Sequence, residues 1–593
     1  MPKTAALWHS GSRKEAMDLL QSTWPLLDES DQEHLTRAIL AGPPDKLLEN
    51  VDEDERSRSR DRRIFDRIIA VERVSNPPLT QGLSNELARI RSEYPEWEAP
   101  PREQAHFVSW SETSFGPDTK YGADDLALLS EDELIAVLET DEDRREGLLE
   151  AWRQFAAADG ERAIKTLERI AAVKEPDRVD IWRFGLWGLR DTATSGPLDR
   201  LLGLLLKAPE TLFNQPDFSQ AVAEILEVTG GAIGTDSVAQ SYWRLFDTTL
   251  QAASVDPSNI AEEQCVDWVH FAINCSMGHL AKGFFAALFS RELKVGDGIP
   301  PDLVERLDHL VEPNLIAHRP ARVIAASRLS YLYAIDPSWV NRELLPGFDW
   351  SDEQESLALW QGYGWNARID PQLWTAIKPS FLDLFTPERL ERFGSFRRNL
   401  AQLLMLAGIE FGVQELPRDR VRDAIRSMPA RMRTDAVAWI AGYLKQSGEP
   451  VEGEDRIDAG PRSDALWRDR VGPWLKRVWP VDPEICSGDL SEQLAVAAIA
   501  TDAEFPEAIK QISPYLVRSN ALHLLHELAA SDHPDQHPKS TMALIDRLIA
   551  PEFHWGGEPF RQIMERVVAS EPNLEEDVVY RRWDERLRLQ GQQ

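Results

Sequence analysis

Apolar residues recur along this chain at helical spacing almost throughout. Leu19, Leu20, Leu26 and Leu27 open the pattern, and Ile64, Ile68 and Ile69 continue it. Leu198, Leu201, Leu202 and Leu205 then make an i, i+3, i+4, i+7 stripe, the signature of a helix packed on one side. Phe396, Leu400, Leu403, Leu404 and Ala407 line the predicted buried face of another helix. Few segments alternate with the period of two that a half-buried strand needs. The pattern predicts an all-α chain with little or no β.

Repeated start signals punctuate these helices. Ile335-Asp336-Pro337 precedes Trp339, and 34 residues on Ile369-Asp370-Pro371 precedes Trp374. Asp accepts hydrogen bonds from the orphan N–H groups of a first turn, and Pro at the next position has no N–H to leave unsatisfied. Asp256-Pro257 and Thr386-Pro387 carry the same signal. Ser351 with Gln354 has capping-box spacing ahead of Leu357, Trp360 and Tyr363, and Ser130 with Glu133 has it ahead of Leu134, Val137 and Leu138. A period near 34 predicts paired helices stacked in an array. The expected fold is an elongated α-solenoid of stacked helical hairpins, irregular and similar to TPR or HEAT arrays.

Punctuation and composition divide the chain into six regions. Residues 1–105 are helical, broken at Pro43-Pro44, Pro77-Pro78 and Pro100-Pro101. Residues 106–125 form a non-helical patch in which aromatics alternate with Ser, Gly and Pro. Helical repeats fill 126–330, Trp-rich central repeats 331–445, and a C-terminal helical region 465–593. Between the last two lies an acidic stretch with Gly and Pro, 446–464, expected to be a linker or mobile loop.

At 593 residues the chain exceeds what one hydrophobic core usually serves, and 42% hydrophobic residues rule out wholesale disorder. Twenty tryptophans predict large aromatic wedges between helices. The net charge of −33 argues against general nucleic-acid binding, which depends on accumulated Lys and Arg. One basic run, Arg56, Arg58, Arg60, Arg62, Arg63 and Arg67, is interleaved with Asp54, Glu55, Asp61 and Asp66, and predicts a salt-bridged helix start rather than a phosphate site. Cys265, Cys275 and Cys486 are too few and scattered for a disulfide framework and read as buried thiols of a reducing compartment. The amino terminus lacks the apolar core of a secretory signal, and no apolar run approaches membrane-spanning length. A cytoplasmic protein with no membrane contact is expected.

Candidate chemistry is sparse. There is no GxSxG elbow, no GxGxxG after a strand and no kinase signature set, and Gly230, Gly231 and Gly234 lack the Gly-Lys-Ser/Thr of a phosphate loop. No cofactor is expected. Asp124-Asp125 and Asp141-Glu142-Asp143 suit the positive ends of helix dipoles. The one cluster that bears on catalysis is His523, His526, His533 and His537 with Glu527. Two histidines one turn apart can share a cation while a carboxylate acts as base, the chemistry of a metal-dependent hydrolase or nuclease. The spacing matches neither HExxH nor HxxEH, and Pro534 and Pro538 interrupt the helix. On a helical wheel Ala521, Leu522, Leu524, Leu525 and Leu528 share an apolar face and leave His523, His526 and Glu527 on a polar, solvated one.

Two stretches carry a family resemblance. Tyr331, Asp336, Pro337, Trp339, Pro346, Trp350, Trp360 and Phe381 form a pattern that resembles a helical domain of unknown function towards the carboxyl end of bacterial sirtuin-like proteins, several of which serve in antiphage defence. Phe107, Trp110, Phe115, Gly116 and Gly122, followed by Leu134, Leu138, Leu148 and Trp152, are similar to a segment that precedes it in such proteins. The resemblance implies a sensor or scaffold that recognises a viral or partner protein and controls an effector. No residue matches the NAD-binding motifs of a sirtuin or a phosphate loop, so no catalytic residue carries over and the effector is expected to be absent, on another chain or lost. The expected function is a non-catalytic protein-interaction scaffold or sensor, with a metal-dependent hydrolase as the alternative and an oligomer compatible with either. Trp339, Trp350, Trp360, Trp365 and Trp374 are the candidate contact residues, because aromatic anchors concentrate binding energy where they are not already buried.

Overall fold

The computed structural model describes residues 23–44, 56–74, 79–95, 97, 121–140, 145–172, 178–190, 192–193, 198–234, 237–261, 265, 267–411, 417–448, 459–550 and 557–590. The chain divides into two compact units, Met1–Pro117 and Asp118–Gln593. Most of the non-helical patch at 106–125, residues 1–22 with Leu19 and Leu20, and residues 449–458 of the acidic stretch lie outside the described residues. The two ends of that stretch are helical, in Ala430–Gly448 and Ala459–Leu466.

In the first unit, Glu29–Leu40, Arg56–Glu72 and Gln81–Glu93 pack on one another around Trp24, Ile39, Phe65, Ile68, Leu83 and Ile90. The arginine-rich stretch is a helix start, as its sequence predicts. Asp61 pairs with Arg89 at 2.8 Å, Asp66 with Arg62 at 3.4 Å, and Arg60 donates to the Ala41 carbonyl at 2.6 Å.

The second unit is a stack of helical pairs. One series of helices includes Arg145–Ala158, Val179–Arg190, Pro216–Thr229, Ser276–Phe289, Arg319–Ala326, Glu353–Trp365 and Arg397–Glu410, each packed on the next. It continues through Ala430–Gly448, Gly488–Ile499, Leu522–Ala530 and Gly557–Ser570. A second series, including Gly160–Ala172, Leu198–Leu205 and Ser237–Val255, and later Pro371–Asp383, Arg418–Ser427 and Phe505–Ile512, supplies the other half of the pairs. The fold is all-α and solenoid-like. Among the described residues there is no strand, only an isolated bridge between Ser519 and Ile549.

Packing within the first series is close. A Cβ on Gly188 would lie 2.2 Å from the Arg153 carbonyl oxygen, and one on Gly362 would lie 2.4 Å from that of Val323. Only glycine lets these helix backbones touch. Polar ties recur at one-repeat spacing alongside the apolar core: Arg183 to Asp217 and Arg190 to Glu224 are each 34 residues apart in sequence, Arg322 to Glu355 is 33 and Lys539 to Glu571 is 32. Arg183–Asp217 and Lys539–Glu571 are exposed pairs that contribute little free energy each, so burial of the aromatic and aliphatic core holds the stack.

The helix starts largely follow their sequence signals. Asp336 accepts from the Trp339 N–H at 2.9 Å, Asp370 from Gln372 and Leu373 at 2.9 and 3.0 Å, and Thr386 from Arg389 at 3.3 Å. Ser130 and Glu133 exchange capping bonds, with the Ser130 N–H donating to Glu133 at 2.8 Å. Asp256-Pro257 opens only a short 3-10 turn. Ser351 is not the cap of its helix. Asp352 takes that place, accepting from Gln354 and Glu355, because its carboxylate reaches two first-turn N–H groups while the Ser351 N–H is turned to Asp349.

Candidate interaction surface

The central repeats place the five candidate tryptophans in three different environments. Trp339, Trp360 and Trp374 are buried wedges, 1%, 0% and 1% exposed. Trp360 meets Phe348 edge-on at 4.9 Å and Phe381 at 5.5 Å, and Phe381 in turn meets Trp374 at 5.5 Å. The indole N–H of Trp339 donates to Asp308 at 2.7 Å and that of Trp360 to the Phe348 carbonyl at 3.2 Å. These rings hold repeats together and present no face to a partner.

Trp350 is half-buried and serves as an internal clasp. Its φ is +66°, a conformation disfavoured for a bulky side chain. The strain is offset locally. The Trp350 N–H donates to Ser356 Oγ at 2.9 Å, its Nε1 donates to the Ser380 carbonyl at 2.8 Å, and the Arg389 guanidinium lies 3.9 Å from its ring centroid. Arg389 is itself held by Glu353 and the Asp383 carbonyl. Trp350 thus ties the turn before Glu353–Trp365 to the following repeat.

A buried ionic seam sits at the start of the same helix. Arg322, 3% exposed, binds Glu355 through both carboxylate oxygens at 2.6 and 2.9 Å, and Arg319 binds it at 2.7 Å. Arg322 also donates to the Glu312 carbonyl at 2.7 Å, and Arg319 lies over the Trp268 ring at 5.0 Å. Burial alone would raise the Glu355 carboxyl, but the Arg322 and Arg319 guanidiniums outweigh it and hold that group below its ordinary value. Nearly two turns further on, the fully buried Gln361 accepts from the Trp268 N–H at 2.8 Å and donates to the Arg392 carbonyl at 3.2 Å, joining three repeats. Sequence reasoning singled out neither feature. The signal for the seam was a pair of arginines at i, i+3 facing a glutamate one repeat later.

At the opposite end of this helix Trp365 is 42% exposed. The residues around it are joined by backbone ties: Asn399 donates to the Gly364 carbonyl at 2.9 Å, and Tyr363 donates through its hydroxyl to the Arg368 carbonyl at 2.8 Å. Four arginines are carried on these segments. Arg368 and Arg398 are exposed, Arg392 and Arg397 half-buried. Arg398 approaches Asp435 at 3.9 Å, whereas the guanidiniums of Arg368, Arg392 and Arg397 have no ion-pair or hydrogen-bond partner among the described residues. From Arg392 to Ile409 the chain has three arginines and no acid.

The histidines do not converge. His523 and His526 are exposed on Leu522–Ala530, with His523 at 3.6 Å from Glu527, which also binds Lys445 at 2.7 Å. His533 is buried, stacked on Phe505 at 3.9 Å and bonded through Nε2 to the Ile499 carbonyl at 2.9 Å, and burial lowers its pKa. His537 lies 6.0 Å from it between ring centroids. Among the described residues no group of three or more His, Cys, Asp or Glu is placed to hold a metal ion. Leu524, Leu525 and Leu528 form the buried face as the wheel predicts, but Leu522 is 44% exposed because the helix begins there. Cys275 is a buried thiol pushed up to about 11 by desolvation, and Cys265 and Cys486 are half-buried. Gly230 and Gly231 close a helix in a 3-10 turn.

Two further groupings escaped the sequence reading. His279, 7% exposed, contacts Glu227 at 2.5 Å beside Lys282, while Arg190 binds Glu224 at 2.9 Å. In the first unit Arg58, Ser59, Arg62 and Trp97 line an open cleft of about 410 Å³, with Tyr94 stacked on Trp97 at 4.1 Å.

No family model matches the chain. It is similar to an uncharacterized protein, y4cA, of Sinorhizobium fredii, at 22% identity over 351 residues. The match covers 56% of this chain and 27% of that protein, so it spans about a quarter of the relative's length.

Proposed function

We propose that this chain is a non-catalytic helical-repeat scaffold or sensor whose partner is another protein. The observation that carries the reading is the division among the central tryptophans: Trp339, Trp350, Trp360 and Trp374 are engaged within the stack, whereas Trp365 presents 42% of its surface to solvent. Helical-repeat stacks present extended surfaces, and tryptophan and arginine are the residues most enriched where binding energy concentrates. A place in antiphage defence, as sensor of a viral protein or holder of an effector, belongs to the same proposal and rests on the sequence resemblance.

The test is affinity capture from bacterial lysate, with and without phage infection, read by mass spectrometry. A viral protein captured only after infection is the outcome expected of a sensor, and one host protein captured in both samples that of a scaffold. Capture of nothing above a control bait would overturn the reading.

A further inference from the structure

We propose that the surface around Trp365 binds an acidic, apolar-bearing segment of a protein partner, with Trp365 taking the apolar side chain and Arg368, Arg392 and Arg397 taking the carboxylates. The proposal rests on the interaction reading above and names the partner's chemistry.

Charge is the first argument. In these same repeats Arg319, Arg322, Arg389 and Arg420 each bind a carboxylate of the chain, whose net charge is −33. Arg368, Arg392 and Arg397 bind no carboxylate among the described residues, and although Glu388 and Glu391 precede Arg392, the segment from Arg392 to Ile409 carries no acid. Their neighbours Asp370 and Asp435 are engaged, the first as a helix cap and the second towards Arg398. A guanidinium without an internal partner keeps its planar set of donors for an external carboxylate.

Geometry is the second argument. Trp365 ends its helix, Arg368 follows within a turn, and the Asn399 bond to Gly364 brings the start of Arg397–Glu410 alongside. Gln361 fixes Arg392 through its carbonyl. Trp365 therefore stands beside two backbone-tied segments that carry Arg392 and Arg397, with Arg368 following it, so binding there orders few groups. A nucleic acid fits less well. Three arginines neutralise few phosphates, and the rest of the molecule repels a long polyanion.

The experiment uses the full chain and three fluorescein-labelled probes: a peptide of alternating Glu and Phe, its Lys and Phe counterpart, and an oligo-dT strand, followed by anisotropy at low and moderate salt. The Glu/Phe peptide is expected to bind, to weaken with salt, and to lose about tenfold or more in affinity on Trp365→Ala and on Arg392→Glu/Arg397→Glu. Lysate capture run with the same variants separates the two claims. If proteins are still captured equally by wild type and variants, the interaction reading stands and this surface is the wrong one. Failure of the Glu/Phe peptide to bind, binding insensitive to the substitutions, or equal response of oligo-dT would overturn the assignment. Unchanged unfolding midpoints in the variants confirm that any loss is one of contact.

Discussion

One helix, Glu353–Trp365, has two ends with opposite treatment of charge. Near its start, Glu355 is buried between Arg319 and Arg322, both guanidiniums bind its carboxylate, and the bonds run to the preceding repeat. At its finish, Trp365 is exposed and Arg368, Arg392 and Arg397 bind no carboxylate among the described residues. Ten residues separate the two. The contrast separates groups that hold repeat to repeat from groups available to something outside the chain. Desolvated ions must be paired or the fold pays heavily, whereas solvated ones can wait at little cost.

Breaking the buried end should have the largest effect. Glu355→Ala leaves Arg322 desolvated without its carboxylate and is expected to destabilise by about 3–5 kcal/mol in denaturant unfolding. A loss near zero would mean that the seam clamps nothing. The same seam carries a pH dependence. Because the folded carboxyl sits below the ordinary value of 4.5, its contribution is present above that value and is lost as pH falls through the folded one. The stability gap between wild type and Glu355→Gln should therefore be full at neutral pH and close as acid is added, and a gap that widens on acidification would contradict the assignment.

Next in size is Gln361→Ala, which strips partners from the Trp268 N–H and the Arg392 carbonyl. About 1–3 kcal/mol is expected, with hydrogen exchange accelerated at Trp268. Asp370→Ala removes a cap worth about 1 kcal/mol, and Asp370→Asn should restore most of it. The smallest stability effect belongs to the exposed end. Trp365→Ala should shift unfolding by no more than about 1 kcal/mol, which makes it the substitution that separates binding from folding.

Much of the fold was legible before the structure. Asp336, Asp370, Thr386 and Ser130 cap helices where their spacing says they should, because a cap is a bond between residues at most a few positions apart. The displacement from Ser351 to Asp352 shows the grain of that reading: either side chain can cap, and the path of the preceding turn through Trp350 decides between them. The candidate surface was far less legible. Leu357, Trp360, Tyr363 and Trp365 belong to a helix that is apolar nearly all round, so its periodicity alone does not say which tryptophan faces out.

The chain's own residues determined that it would be helical, where many helices begin, and that a unit near 34 residues recurs, since each depends on local hydrogen bonding and on spacing within a turn or two. Tertiary structure alone decided that Trp360 is buried while Trp365 is exposed, that Arg322 finds Glu355, and that Arg397 finds no carboxylate among the described residues. Those outcomes depend on the register between successive repeats. It is set where Gly362 lets two backbones meet and where Gln361 bridges a neighbour 93 residues away in sequence.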